Sequence, residues 1–310
     1  MINDNLIMTA LTKLYDKKRM DAENRAYEIN ASLESDDVWQ ENRYKLKNLR
    51  LELARAKYEE NFDNVPRLEE QIAILLKERN NILKSKGLTE DMLKVNYSCH
   101  ICSDTGYLEG GGLCKCFFTN LMTVSEQILN IQTPVLPTFD DYQTQNEKSK
   151  KIKNLLLDYV AKFPPEKIKN LIFTGTPGTG KSFSAGCIAS ALINNNRTVL
   201  YLSAVKLNDI FLRYHTSSIS DKQAIFSLLT SCDLLVIDDL GTEPILKNVT
   251  AEYITAIISE RLNLGAPFII TTNLSLEEIK IRYTERLSSR ILGSETARIS
   301  FDGKDLRIKK

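Results

Sequence analysis

Gly175-Thr176-Pro177-Gly178-Thr179-Gly180-Lys181-Ser182 follows the apolar run Leu171-Ile172-Phe173 and leads into a helix-forming stretch from Phe183 to Ile193. This is a G-x-x-x-x-G-K-[ST] loop set between a strand and a helix, the context in which the pattern has mechanical meaning. Gly175, Gly178 and Gly180 can take backbone conformations closed to other residues, so consecutive N–H groups can turn inward around a phosphate. The helix that starts there adds unpaired N–H groups and its dipole. Lys181 is placed for the β- and γ-phosphates and the Ser182 hydroxyl for Mg²⁺; Thr176, Pro177, Thr179 and Phe183 complete the expected cradle.

A second stretch points to the same chemistry. Leu234-Leu235-Val236-Ile237 reads as a buried parallel strand that runs directly into Asp238-Asp239. Two adjacent carboxylates at a strand tip are costly unless a cation or substrate uses them, and strand tips are where open α/β sheets bind ligands. Asp238 is expected to hold Mg²⁺ and Asp239 to orient or deprotonate the attacking water. Pro267 to Thr271 is a further strand and ends in Thr272-Asn273. The Asn273 amide either fixes that water and senses the γ-phosphate or caps the following turn.

Outward from these motifs the text alternates helix and strand, as a parallel α/β sheet requires. Helices are expected near 147–162, from Ala204 to Tyr214, from Asp221 to Leu229 and from Val249 to Leu264, with another strand from Thr198 to Leu202. Arg286 and Arg290 fall four apart on one helix face, and Arg307 stands near the last residue of the sequence. Forked and always charged, arginine suits the developing charge of a transferring phosphoryl group, in its own subunit or a neighbour's. The competing reading is a surface salt-bridge helix with Glu285 as partner. Lys206, Arg213, Tyr214, His215 and Lys222 mix cations with aromatics, which fits either a single-strand track or a solvated face.

The 310 residues, 43% of them hydrophobic, suffice for a proper core and two domains. With 41 Lys and Arg against 40 Asp and Glu, the net charge of +1 gives no global field toward nucleic acid or membrane. No bilayer-length apolar run or signal-peptide core is present, so a cytoplasmic protein with no membrane partner is expected. Of the six cysteines, four crowd into Tyr97-Ser98-Cys99-His100-Ile101-Cys102 and Cys114-Lys115-Cys116. A C-x₂-C and a C-x-C joined by a Gly-rich loop present two thiolate pairs to a tetrahedral Zn²⁺, with His100 turned away or exchanging for a cysteine.

Residues 1–95 are charged, poor in Gly and Pro, and helical by pattern. Leu6, Ala10, Leu11 and Leu14 mark one apolar face, Leu46, Leu49, Leu53 and Ala56 a second, and Leu68, Ile72, Leu75, Arg79 and Ile82 a third. Asn61 to Pro66 reads as the turn of a helical hairpin whose narrow stripes fit coiled-coil packing, within the hairpin or against a partner. Residues 117–145 read as a connector; its Pro-interrupted part offers Phe139 or Tyr142 as a wall of the base pocket.

Taken together, Gly175 to Ser182, Leu234 to Gly241, Thr271-Thr272-Asn273 and Arg286 to Arg290 resemble the AAA+ ATPases of the helicase-loader group, the DnaC/DnaI proteins, and their transposition relative IstB. The cysteine module is similar to those of Gram-positive and phage-type loaders, which favours loader over transposition helper. The resemblance implies ATP and Mg²⁺ as cofactors. It assigns Lys181 and Ser182 to Walker A, Asp238 and Asp239 to Walker B, Asn273 to sensor I, Arg290 with Arg286 beside it to an arginine finger acting in trans, and Arg307 to sensor II. It implies self-association through the ATP sites, a DnaB-type replicative helicase and single-stranded DNA as partners, and slow, stimulated hydrolysis. An Asp at the second Walker B position and only about twenty residues after Arg290 depart from the wider AAA+ pattern. The expected organisation is a helical partner-binding region (1–95), a zinc module (96–120), a linker (121–145) and an AAA+ P-loop NTPase domain with a parallel sheet and reduced lid (146–310).

Overall fold

In a computed structural model of the chain, residues 4–144 and 146–303 are described. Backbone contacts divide the chain into two units, residues 13–114 and residues 1–12 together with 115–310.

Residues 13–114 hold most of α1 (Asn5–Glu34), then α2 (Asp37–Tyr58) and α3 (Val65–Ser85). A 3₁₀ turn at Phe62–Asn64 reverses the chain, and Pro66 sits in the first turn of α3, where a missing N–H costs nothing. The expected hairpin is therefore α2 packed along α3. Leu46 and Ala56 are buried and Leu49 and Leu53 half-buried, as are Leu68, Ile72, Leu75, Arg79 and Ile82 on the facing arm. A buried Asn42 amide donates to the Leu75 carbonyl at 3.0 Å, and the Arg79 guanidinium lies 4.2 Å from the Trp39 ring. On α1, Tyr15, Ala22, Ala26 and Leu33 are buried at spacings of seven, four and seven, a heptad seam. Leu33, Trp39 and Leu83 close the open end of the hairpin. Of the expected face nearer the start of α1, Leu11 is buried and Leu6, Ala10 and Leu14 are half-buried, with Ile7, which the pattern did not include, buried beside them.

The other unit is an α/β domain. It contains α4 (Lys115–Leu129), α5 (Glu147–Ala161), β1 (Asn170–Gly175), α6 (Lys181–Asn194), β2 (Val199–Ser203), α7 (Ala204–Thr216) and α8 (Ile219–Ser231). There follow β3 (Leu234–Leu240), α9 (Thr250–Leu264), β4 (Phe268–Thr272), α10 (Leu276–Arg282), α11 (Glu285–Ile291) and β5 (Thr296–Phe301). The five strands form one parallel sheet in the order β2-β3-β4-β1-β5. Side chains alternate across it: Leu171, Phe173, Val199, Leu234, Val236 and Ile269 pack with Leu156 and Tyr159 of α5 and Ala185, Ile188 and Leu192 of α6. Ile172, Leu235, Ile237, Phe268 and Ile270 point the other way and are equally buried, as a doubly covered sheet demands.

Two elements depart from the sequence reading. The stretch read as a connector begins with α4, whose Phe117, Leu121, Val124 and Leu129 are buried at helical spacing; only the Pro-bearing part beyond it is extended. The residues after Arg290 include β5, an edge strand in register with β1 from Asn170↔Thr296 to Gly175↔Phe301. Its approach is so close that a Cβ at Gly175, which has φ 140°, would lie 2.0 Å from the Phe301 carbonyl oxygen. At the opposite end of the sheet, the fully buried Arg261 donates to the carbonyls of Leu229, Thr230, Cys232 and Pro267 and so ties α8 to the starts of β3 and β4. Among the described residues no helix is long and apolar enough to cross a membrane.

Candidate functional site

The C-terminal ends of β1, β3, β4 and β5 open into a cavity of about 1030 Å³. Pro177 to Phe183, Asp238, Asp239 and Asn273 line it together, and Gly175 and Thr176 form the root of the loop. Gly178 and Gly180 have φ of 77° and 96°, the left-handed conformations for which glycine is needed. Gly180 stands at the N-cap of α6 and has no side chain to cap it, the kind of helix start that accommodates an anion. Lys181 is 6% exposed, and its Nζ donates to the carbonyls of Gly175 and Thr176 at 2.8 and 2.7 Å. The cation is thus folded onto the loop whose amides it would share with a phosphate.

The carboxylates owe their placement to a bulge. Register between β3 and β4 shifts between Ile237 and Leu240, and Asp239 takes a φ of 59°. The extra residue lets Asp238 and Asp239 both present to the cavity instead of to opposite faces of the sheet. Thr271 on β4 secures both: its hydroxyl donates to Asp238 Oδ1 at 2.6 Å and accepts the Asp239 N–H at 2.8 Å. Asn273 Nδ2 donates to Asp239 Oδ1 at 3.0 Å. Ser275, not Asn273, caps α10, accepting from the Glu278 N–H, so the capping alternative for Asn273 is taken by another residue.

Three working groups escaped the sequence reading. Thr271 was visible only as part of a strand tip. Tyr201 of β2 donates its hydroxyl to the Ser182 carbonyl at 3.2 Å; burial first, and then the neighbouring Asp238 charge, hold its pKa far above the usual tyrosine value, so it stays a neutral donor. Its only signal was a polar tip in the otherwise aliphatic Val199–Leu202. Glu243, fully buried in the turn after β3, carried no signal, because burial of a lone carboxylate is set by partners distant in sequence.

Of the two aromatic candidates for the base wall, Tyr142 lines the cavity and Phe139 stacks behind it with ring centres 6.1 Å apart. Tyr142 meets Phe183 edge-on at 5.5 Å and shares a hydrogen bond with the Ser184 hydroxyl at 3.0 Å. Pro137 clamps the same segment to α6, lying where a Cβ on Gly186 would come within 2.6 Å. Arg286 is exposed and Arg290 half-exposed on α11; neither lines the cavity, and among the described residues neither forms the ion pair with Glu285 that the competing salt-bridge reading called for. Arg307 lies outside the described residues. On α7, Arg213 is not a solvated cation: its guanidinium donates to the Leu129 and Ile128 carbonyls at 2.5 and 2.8 Å, capping α4. His215 is bonded to the Tyr253 hydroxyl, and Lys222 lies over the Tyr214 ring.

The sulfur atoms of Cys99, Cys102, Cys114 and Cys116 all lie within 4.8 Å of one another. Cys99 and Cys114 are 3.7 Å apart, close to the edge of a tetrahedron with Zn–S bonds of about 2.3 Å and far beyond a disulfide bond. The Gly106 N–H points at Cys102 Sγ at 3.3 Å, and the buried Asp104 carboxylate accepts the N–H groups of Ser98 and Cys99. Four sulfur atoms at tetrahedral spacing, one of them facing a backbone donor, make a donor set that fits zinc. His100 is exposed and outside the cluster.

Residues 123–297 match the family described as IstB-like ATP binding protein. The replicative helicase loader DnaC of Buchnera aphidicola subsp. Baizongia pistaciae is 26% identical over 173 residues, 56% of this chain and 70% of that protein. For DnaC of Escherichia coli K12 the figures are 27% over 154 residues, 50% of this chain and 62% of the relative, so the match spans less than two thirds of the latter. A crystal structure of the DnaC helicase loader is 25% identical, with a TM-score of 0.46, covering 53% of this chain and 96% of that one. The family match spans more than half of the chain and includes the phosphate loop, both acidic residues, Asn273 and the arginine-bearing helix. The chain belongs to the IstB-like ATP-binding family, the AAA+ group that also holds the DnaC-type loaders.

Proposed function

We propose that this protein is an ATP-dependent loader that places a replicative helicase ring on single-stranded DNA, with ATP bound and hydrolysed between neighbouring subunits in the cytoplasm. The observation that carries the reading is a cavity containing a phosphate loop, a buried lysine, two carboxylates and an amide, while the arginines of α11 stand outside it. Such a site is complete for binding and incomplete for turnover.

The roles follow from the positions. Loop amides from Gly175 to Ser182 and the Lys181 ammonium bind the phosphates; Ser182 directly and Asp238 through water would hold Mg²⁺, which supplies charge neutralisation on the phosphate oxygens. Asp239, held in place by Asn273, orients or deprotonates the attacking water. Tyr142 and Phe183 bound the space where a base would lie. Arg290 of one subunit, with Arg286 beside it, would stabilise the transition state in the next, so ATP acts as a joint between subunits. Arg307 keeps its expected sensor II role as part of this proposal. The helices of residues 1–95 would dock the helicase, with the four cysteines holding structural zinc. Single-strand contact would fall to Lys206 and Lys222 of α7 and α8, since Arg213 is engaged elsewhere.

The test is a pull-down of the full chain against a DnaB-type helicase and, in parallel, a transposase, each with and without ATP. Capture of the helicase with strand loading that fails in Arg290→Ala supports the proposal. Capture of the transposase alone supports the second reading, an IstB-like transposition helper, which the name of the matched family favours.

A further inference from the structure

Glu243 is 1% exposed, a carboxylate enclosed in the turn that leads from Asp238 and Asp239 to α9. A charge so enclosed is tolerated only with partners, and each of its acceptors has one. Oε2 accepts the N–H of Gly241 at 2.9 Å, two residues beyond Asp239. Oε1 accepts the hydroxyl of Tyr283, and the Glu243 carbonyl accepts Arg282 Nη2. Burial, with the hydrogen bond to Glu243 second and its charge third, raises the Tyr283 pKa far above the usual value, so the hydroxyl keeps its proton and remains a donor.

Arg282 and Tyr283 form the joint between α10 and α11. Tyr283 is the C-cap of α10, with φ −109° and ψ −91°, and Thr284 is the N-cap of α11, which carries Arg286 and Arg290. Tyr283 is 7% exposed, so the joint is anchored inside the domain while Arg286 is on its surface. The next residue of the turn is anchored too: the Pro244 carbonyl accepts from Asn208 Nδ2 at 3.0 Å and from the Thr250 hydroxyl at 3.3 Å. One rigid turn therefore has the carboxylates of the cavity at one end and the pivot of the arginine helix at the other.

We infer that Glu243 is a positioning residue for the arginines, setting the pose of α11 against the β3 tip so that the state of one subunit's own site governs the guanidinium it offers to its neighbour. This rests on the reading that Arg290 acts in trans. Its action on hydrolysis runs through the site next door and leaves the subunit's own cavity intact. Replacement by Gln can keep the Gly241 N–H on the amide oxygen only by turning its NH₂ to the Tyr283 hydroxyl, which must then reverse from donor to acceptor and lose its charge-assisted bond to the carboxylate. Tyr283→Phe removes one contact and keeps the ring.

The experiment measures DNA- and helicase-stimulated ATP hydrolysis by full-length protein, alone and in equal mixtures. Lys181→Ala mixed with Arg290→Ala is the reference: if Arg290 acts in trans, random pairing of neighbours restores about one site in four. If this mixture stays inactive, the trans reading fails and the inference with it. Given restoration, Glu243→Gln alone is expected to bind ATP within about twofold of wild type and to hydrolyse it at least about tenfold more slowly. Mixed with Lys181→Ala, which donates a well-posed arginine, it should recover to the reference level; mixed with Arg290→Ala, it should not. Tyr283→Phe should show the same asymmetry in milder form. Restoration by Glu243→Gln of the Arg290→Ala sites, no loss of hydrolysis in Glu243→Gln, or weakened ATP binding in both single variants would overturn the inference. If Glu243→Gln does not fold, Tyr283→Phe decides by the same criteria.

Discussion

Replacement of Thr271 by Val tests how the two carboxylates are held. Valine is close to threonine in shape, so the change removes the hydroxyl and little else. Two contacts vanish: the 2.6 Å donation to Asp238 and the 2.8 Å acceptance from the Asp239 N–H. A hydrogen bond to a charged group contributes about 1.5–3 kcal/mol, and an orphaned buried N–H costs about 1–3 kcal/mol. Asp238 is half-buried and can recover part of its loss from water, so a net destabilisation of about 2 kcal/mol is expected from the same ranges. Urea unfolding at fixed pH reads that quantity. The functional effect should be larger, because Asp238 and Asp239 lose their shared tether. Hydrolysis should fall at least about tenfold with ATP affinity changed little, and more Mg²⁺ should be needed for half-maximal rate. Thr271→Ser, which keeps the hydroxyl, should stay close to wild type. A Thr271→Val protein with wild-type rate and wild-type Mg²⁺ dependence would refute the idea that this hydroxyl sets the acids.

Purified without chelator, the protein should carry about one zinc per chain, with the four clustered thiols shielded from thiol reagents until a chelator is added. Cys187, whose pKa burial pushes up to about 12, should stay unreactive before and after chelation, which makes it an internal control. Arg261→Met should lower stability by about 3 kcal/mol or more, because four buried carbonyls lose their guanidinium bonds, that of Pro267 keeping the Leu235 N–H as a further donor, yet leave nucleotide affinity of the folded protein unchanged. Oligonucleotide binding should weaken as salt rises and drop further in a Lys206→Ala, Lys222→Ala double variant, whereas Arg213→Ala should act chiefly through stability.

The parts of this molecule that could be read in advance are those whose chemistry is local. A loop that must wrap a phosphate needs glycine at fixed intervals, and Gly178 and Gly180 take the left-handed conformations that the spacing implied. The Leu234-Ile237 run and its trailing acids declared a buried strand and its tip, and the hairpin turn announced itself through Asn61 to Pro66. What stayed hidden depends on long-range pairing. β5 is a short edge strand whose residues Thr296 to Phe301 alternate only weakly between buried and exposed, and its place beside β1 rests on the absence of a side chain at Gly175. α4 was obscured by the prolines that follow it. Arg213 looked like a surface cation because the carbonyls it caps, at Ile128 and Leu129, lie far away in sequence. Glu243 and Tyr283 find each other across forty residues, a pairing that no local pattern announces.

In the proposed function the cavity at the strand tips grips a nucleoside triphosphate through the loop and its lysine. Titration of full-length protein with a fluorescent ATP analogue and Mg²⁺, for wild type and Lys181→Ala side by side, tests it most directly. One Mg²⁺-dependent site per chain is predicted for wild type, with affinity lost by about two orders of magnitude in the variant. Equal affinity in the two proteins, with the variant's fold intact by circular dichroism, would contradict it.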